Sequence, residues 1–177
     1  MMTDADKLKI YSAMAETTRK WVSVMDTKAG FISALNAGML AIMWSGAKLQ
    51  NGSCWQKGLA LSATLLSLIS LFVALRVVLP RACLMHVFGH PLNYADGYKP
   101  ISFYGFVATN YTNRQDGKFI DDVMKLDEAA LAKEALEQHF TISHVVHAKS
   151  NLVAIAGLFL KLALLLASFA LFSKVIL

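Results

Sequence analysis

His144 and His147, three apart in "HVVHAK", are the side chains here best suited by type to hold a metal ion. Spaced i and i+3 they share a helix face, but zinc takes three or four ligands, and no glutamate or third histidine stands at helical spacing. His139 lies five residues before His144, off that face. The pair therefore reads as part of a helical surface, and no metal is expected. HExxH, GxSxG and a phosphate-cradling glycine loop are all absent, and no carboxylate pair has an evident cleft. Catalysis has no support, and no cofactor is expected.

Two other groups could do chemistry of a binding kind. "FYG", Phe103 to Gly105, sits close to Lys99 and Arg114. Rings can stack on a base while cations hold a phosphate, which makes Lys99, Phe103, Tyr104 and Arg114 a candidate nucleotide site. The same aromatics could instead pack a short segment onto neighbouring helices. In "MDTKAG", Asp26 and Lys28 stand where a polar helical segment gives way to one almost free of charge. Their meaning depends on what that apolar segment is.

The composition answers this. Of 177 residues, 56% are hydrophobic and 16% charged, against roughly 25% charged in a typical soluble domain. The charges cluster in two blocks and leave three long apolar stretches, the distribution expected of a bilayer protein. The length suits one domain. A net charge of +5 fits anionic headgroups or an anionic ligand. No basic run with interleaved aromatics points to nucleic acid. A secretory leader is not expected either, because Thr3 to Lys28 is polar and mixed in charge.

Residues 1–28 read as an amphipathic helix, with Leu8, Tyr11, Ala15, Thr18, Val22 and Met25 spaced by three or four. Residues 29–47 carry no ionisable side chain and are long enough to cross a hydrocarbon core of ~30 Å. "QNGS" signals a turn, flanked by Trp44 and Trp55, and residues 58–79 form a second span that Arg76, Pro80 and Arg81 close. Residues 80–151 make a small helical insert: "FGHPLNYADGYKPISFYG" is irregular, "FIDDVMKL" a short helix, and Asp127 the cap of another. Residues 152–177 form the third span, apolar except for Lys161 and Lys174. The expected fold is all-α, with three transmembrane helices, an amphipathic N-terminal cytosolic helix and a helical cytosolic insert. A soluble helical bundle is the alternative.

Arg19, Lys20, Lys28, Arg76, Arg81 and Lys149 fall on one side of this topology, and Lys48, Lys57 and Lys174 on the other. The positive-inside rule makes the first side, with the N-terminus, cytosolic. Cys54 and Cys83 then lie on opposite sides and do not pair. Asp26 just before the first span and Lys149 just before the third would share one interface and could form an interhelical ion pair. Lys28, two residues from Asp26, faces elsewhere and could meet lipid phosphate or a neighbouring subunit. The other reading is that both charges merely flank a span. Asn36 and Lys161 are polar groups at membrane depth. Lys161 could line an aqueous path between subunits, or snorkel if its helix is tilted.

In order along the chain, "DTKAG", "ISFYGFVA", "FIDDVMKL" and "LEQHFTISHVVHAKS" around three apolar spans resemble the Pycsar transmembrane effectors, small anti-phage membrane proteins of bacteria. The resemblance implies a membrane effector linked to a nucleotide cyclase, whose cyclic pyrimidine mononucleotide makes it impair the inner membrane. A single copy with three spans is too small to enclose a wide pore, so a homo-oligomer is expected; with no catalytic motif, an enzyme is not. By analogy Asp26, Lys28 and Ala29 fall on the family's entrance motif, Phe103 to Gly105 on its aromatic-glycine element, and Lys149 on the basic residue before the last span. A constitutive small channel or transporter, or the membrane anchor of a partner protein, would suit the apolar spans equally.

Overall fold

In a computed structural model the chain is described at residues 2–79, 107, 111 and 115–176, with residues 174–176 described by backbone alone. Four α-helices appear among them: α1 (Asp4–Ala41), α2 (Cys54–Val78), α3 (Asp116–Met124) and α4 (Glu128–Ile176). No strand occurs among the described residues. Three helical stretches are long and apolar enough to cross a membrane: Asp4–Gly46, Cys54–Val78 and Glu128–Ser173. This is the all-α, three-span architecture that the composition predicts.

Local chemistry sets the helix ends. Thr3 and Asp6 open α1 reciprocally, the Asp6 N–H donating to Thr3 Oγ1 at 3.2 Å and the Thr3 N–H to the Asp6 carboxylate at 3.3 Å. The end of α1 widens into a π-helical turn, Ile42–Gly46, which the Ala47 N–H closes onto the Ile42 carbonyl at 2.7 Å. Lys48 takes a left-handed conformation (φ 47°) and leads into a 3₁₀ turn, Leu49–Asn51. A capping box then starts α2: the Ser53 N–H donates to Gln56 Oε1 at 2.9 Å, and the Gln56 N–H to Ser53 Oγ at 3.4 Å. The "QNGS" signal thus becomes a tight, internally bonded connection. Before α4, Asp127 accepts the Ala130 N–H at 2.7 Å, the cap its position suggests.

The chain divides into two compact units. One comprises residues 1–20 and 82–145. Within it the Thr18 hydroxyl meets His139 Nδ1 at 2.7 Å, and Arg19 donates to the Gln138 side chain, which ties the start of α1 to α4. Tyr111 donates its hydroxyl to Asp122 at 2.9 Å and packs edge-on against Phe119, anchoring α3.

The other unit, residues 21–81 and 146–177, contains the apolar spans. Its buried positions recur every three or four residues on each helix. On α1 and the π-helical turn that ends it they are Met25, Ala29, Ile32, Asn36, Met39 and Met43; on α2 they are Ala60, Ala63, Ser67, Ser70, Ala74 and Val77. On α4 the series is Ala156, Leu160, Ala163, Ala167 and Ala170. Alternating steps of three and four are the seam of left-handed helix packing. Most seam residues are small because lipid tails give apolar helices no hydrophobic reason to associate, so contact depends on backbones approaching closely. Phe31, Leu35, Leu61, Leu65, Phe72, Leu158, Leu165 and Phe172 point outward instead. In water this would be an unstable surface; against acyl chains it is the expected one.

Candidate functional site

The seam forms two apolar clusters. One joins Met39, Met43 and Leu49 to Ala60, Ala63, Ala163, Ala167 and Ala170; the other joins Met25, Ala29 and Ile32 to Ala74, Val77, Ala156 and Leu160. Asn36, Ser67 and Ser70, all completely buried, lie between these clusters along the helices. Asn36 Nδ2 donates to the Ile32 carbonyl and to Ser70 Oγ, both at 2.9 Å. Ser67 donates to Asn36 Oδ1 at 2.7 Å, and Ser70 donates onward to the Ala156 carbonyl at 2.8 Å. No buried side-chain nitrogen or oxygen among the described residues lacks a partner. In hydrocarbon an unmatched amide or hydroxyl costs several kcal/mol, so a fully matched layer permits only one register of the three helices. Trp44 adds a second fixed point, donating from Nε1 to Thr64 Oγ1 at 3.0 Å.

At the Met25 end of this seam, Lys149 Nζ donates to Asp26 Oδ1. The Lys149 side chain is 16% exposed and that of Asp26 36%, so the pair is partly withdrawn from solvent. It joins the entrance of the first span to that of the third, bringing together the two residues whose sequence positions suggested an interhelical contact. Lys28 is exposed and takes no part in the pair. Arg76, at the adjoining end of α2, lies over the Phe72 ring at 5.6 Å.

The remaining candidates fall elsewhere. Asn36 is committed to the buried layer, whereas Lys161 is exposed and no hydrogen bond joins it to Asn36. Lys99, Phe103, Tyr104 and Arg114 lie outside the described residues. His144 stacks edge-on against Phe140 and His147 meets the Asn151 amide at 3.3 Å. No group of three metal-ligating side chains forms among the described residues. Ser67, Ser70 and Thr64 were not singled out by sequence reasoning. Their signal is there in outline, as small residues spaced by three along an apolar span.

Among the described residues the arrangement is a helical unit braced by an internal polar layer and clamped by an ion pair at one end. A sequence model of the Pycsar effector protein domain matches residues 10–174. The chain belongs to the Pycsar effector family. The match takes in all three apolar helices and the segments between them. No curated protein and no solved structure matches the chain. The family supports an anti-phage defence role for this effector and implies a link to cyclic nucleotide signalling and to the membrane. A transmembrane effector domain also suggests an effector that acts without catalysis of its own.

Proposed function

We propose that this Pycsar effector responds to a cyclic pyrimidine mononucleotide, cyclic UMP or cyclic CMP, by oligomerising and disrupting the bacterial inner membrane. The observation that carries the proposal is that the Pycsar effector domain extends over the three spans and the segments joining them. The N-terminus and the insert are cytosolic, by the balance of lysine and arginine around the spans. A nucleotide made in the cytosol then reaches the insert directly.

The packing of the spans favours a path outside the protomer. Their shared interior is filled by aliphatic and methionine side chains to either side of a fully bonded polar layer. Leakage must then arise between copies or at their boundary with lipid. Binding stabilises whichever arrangement has the higher affinity for the nucleotide, and can shift the population only by that difference. Lys99, Phe103, Tyr104 and Arg114 are the proposed binding residues. The Asp26–Lys149 pair is the proposed latch, since it clamps the entrances of two spans.

Dye release from liposomes carrying the purified protein tests this reading, with cyclic UMP, cyclic CMP, cyclic purine nucleotides and no nucleotide in parallel. Release with a cyclic pyrimidine nucleotide alone is expected. Release without nucleotide would instead identify a constitutive channel or transporter. No release from inserted, folded protein would point to an anchor for a partner.

A further inference from the structure

We infer that Lys161 lines an anion-selective aqueous path formed between copies of this chain, the permeating species being small anions such as chloride. The inference rests on the proposed membrane disruption and gives it a charge preference. Lys161 is the sole ionisable side chain in residues 29–47, 58–75 and 152–173. It stands 12 residues beyond Lys149 in one unbroken helix, about 18 Å further along at 1.5 Å per residue. Lys174 follows 13 residues later. Lys161 is therefore near the middle of a hydrocarbon layer ~30 Å thick. A four-carbon stem is too short to lift its ammonium from there to either headgroup region.

The protomer does not shield it. Lys161 is exposed and makes no hydrogen bond or ion pair among the described residues. No aspartate or glutamate occurs in the three apolar stretches, so a second copy of the spans cannot supply a fixed counter-charge at this depth. Hydrocarbon is a costly environment for the ammonium, and such groups in membranes face protein or water. Water with mobile anions is the environment left.

The surrounding face fits closure by further copies. Ala154 and Ser168, seven residues to either side of Lys161, are exposed, and Gly157 lies one turn before it. A Cβ at Gly157 would meet nothing within 4 Å, so packing within the protomer does not require glycine there. Small residues on an exposed transmembrane face allow another helix to approach closely. The apolar side chains Leu158, Leu162, Leu165 and Phe169 lie beside this stripe and are left for lipid. Rings of lysine are a known means of selecting anions in pores.

The test is the reversal potential of nucleotide-activated protein in a planar bilayer under a potassium chloride gradient. A several-fold preference for chloride is expected, retained in Lys161→Arg and inverted in Lys161→Glu. Lys161→Glu could fail to insert. Lys161→Cys in a Cys54→Ser, Cys83→Ser background therefore allows the charge to be changed after folding, with anionic or cationic thiosulfonate reagents. A cationic adduct is expected to restore chloride preference and an anionic one to favour potassium. A current indifferent to these charges, or a thiol that water-borne reagents do not reach, would overturn the inference and leave nucleotide-dependent release standing. No current or dye release with any nucleotide would overturn both.

Discussion

The Ser70 hydroxyl donates to the Ala156 carbonyl at 2.8 Å while accepting from Asn36, so one side chain of α2 joins α1 to α4. Ser67 returns a further bond to Asn36, and the three helices share a continuous buried chain. Interhelical bonds in membranes contribute about 0.6 kcal/mol on average and up to about 1.7, because the separated helices also find partners. Asn36→Leu removes two interhelical bonds and is expected to cost about 1–3 kcal/mol on that scale. Unfolding of the detergent-solubilised protein in a graded SDS titration would measure it. Ser70→Ala should show a similar loss, and Asn36→Leu added to it should cost less than it does alone, because only the Ser67 bond is then left to lose.

The seam makes a second demand. Ala63 and Ala163 are fully buried in the cluster that also holds Met43 and Ala60. Enlarging either to leucine is expected to push helices apart and cost about 1–3 kcal/mol. Leu165→Ala, on the outward face, should change stability far less. The same SDS titration separates the two classes.

For the latch, Asp26→Lys is expected to place two ammonium groups together at the contact with Lys149 and to abolish assembly or toxicity. Adding Lys149→Asp should partly restore it, with a coupling of about 0.5–3 kcal/mol in the double-mutant cycle. Growth arrest on nucleotide induction and cross-linking of the assembly are the readouts. Additive behaviour would remove the latch.

The first turn of α1 gives a prediction in pH. The Asp6 carboxyl is held below its ordinary 3.8, first by the hydrogen bond from the Thr3 hydroxyl and then by the Thr3 N–H. A carboxylate depressed on folding stabilises the fold above its unfolded value, and that contribution is lost as pH falls through the lower folded value. The Thr3 and Asp6 amide resonances should therefore titrate with a midpoint below the ordinary 3.8. Asp6→Asn should flatten the dependence. A midpoint well above pH 3.8 would contradict the cap.

Much of this protein could be read directly from the chain. Three apolar stretches without acidic groups determine three spans, because a bilayer demands helices that satisfy their own backbone. The charges at their ends suggested that Asp26 and Lys149 meet, since both precede a span on the same side. The "QNGS" turn and the cap at Asp127 follow from local hydrogen bonding, which is decided within a few residues. Their partners at Gln56 and Ala130 lie three residues away from the capping side chains.

What the tertiary structure decided is which of the polar groups at depth are matched. Asn36 and Lys161 stand out alike in the sequence, each the most polar residue of an apolar run. Packing gives Asn36 two serines from another helix and leaves Lys161 outside the seam. The difference is one of helix rotation: Asn36 continues the three-and-four series of buried positions on α1, whereas Lys161 falls one residue past Leu160 and turns off it. Composition cannot make that distinction, because the register of one helix against the next is fixed only when small residues and matched hydrogen bonds on all three come into contact.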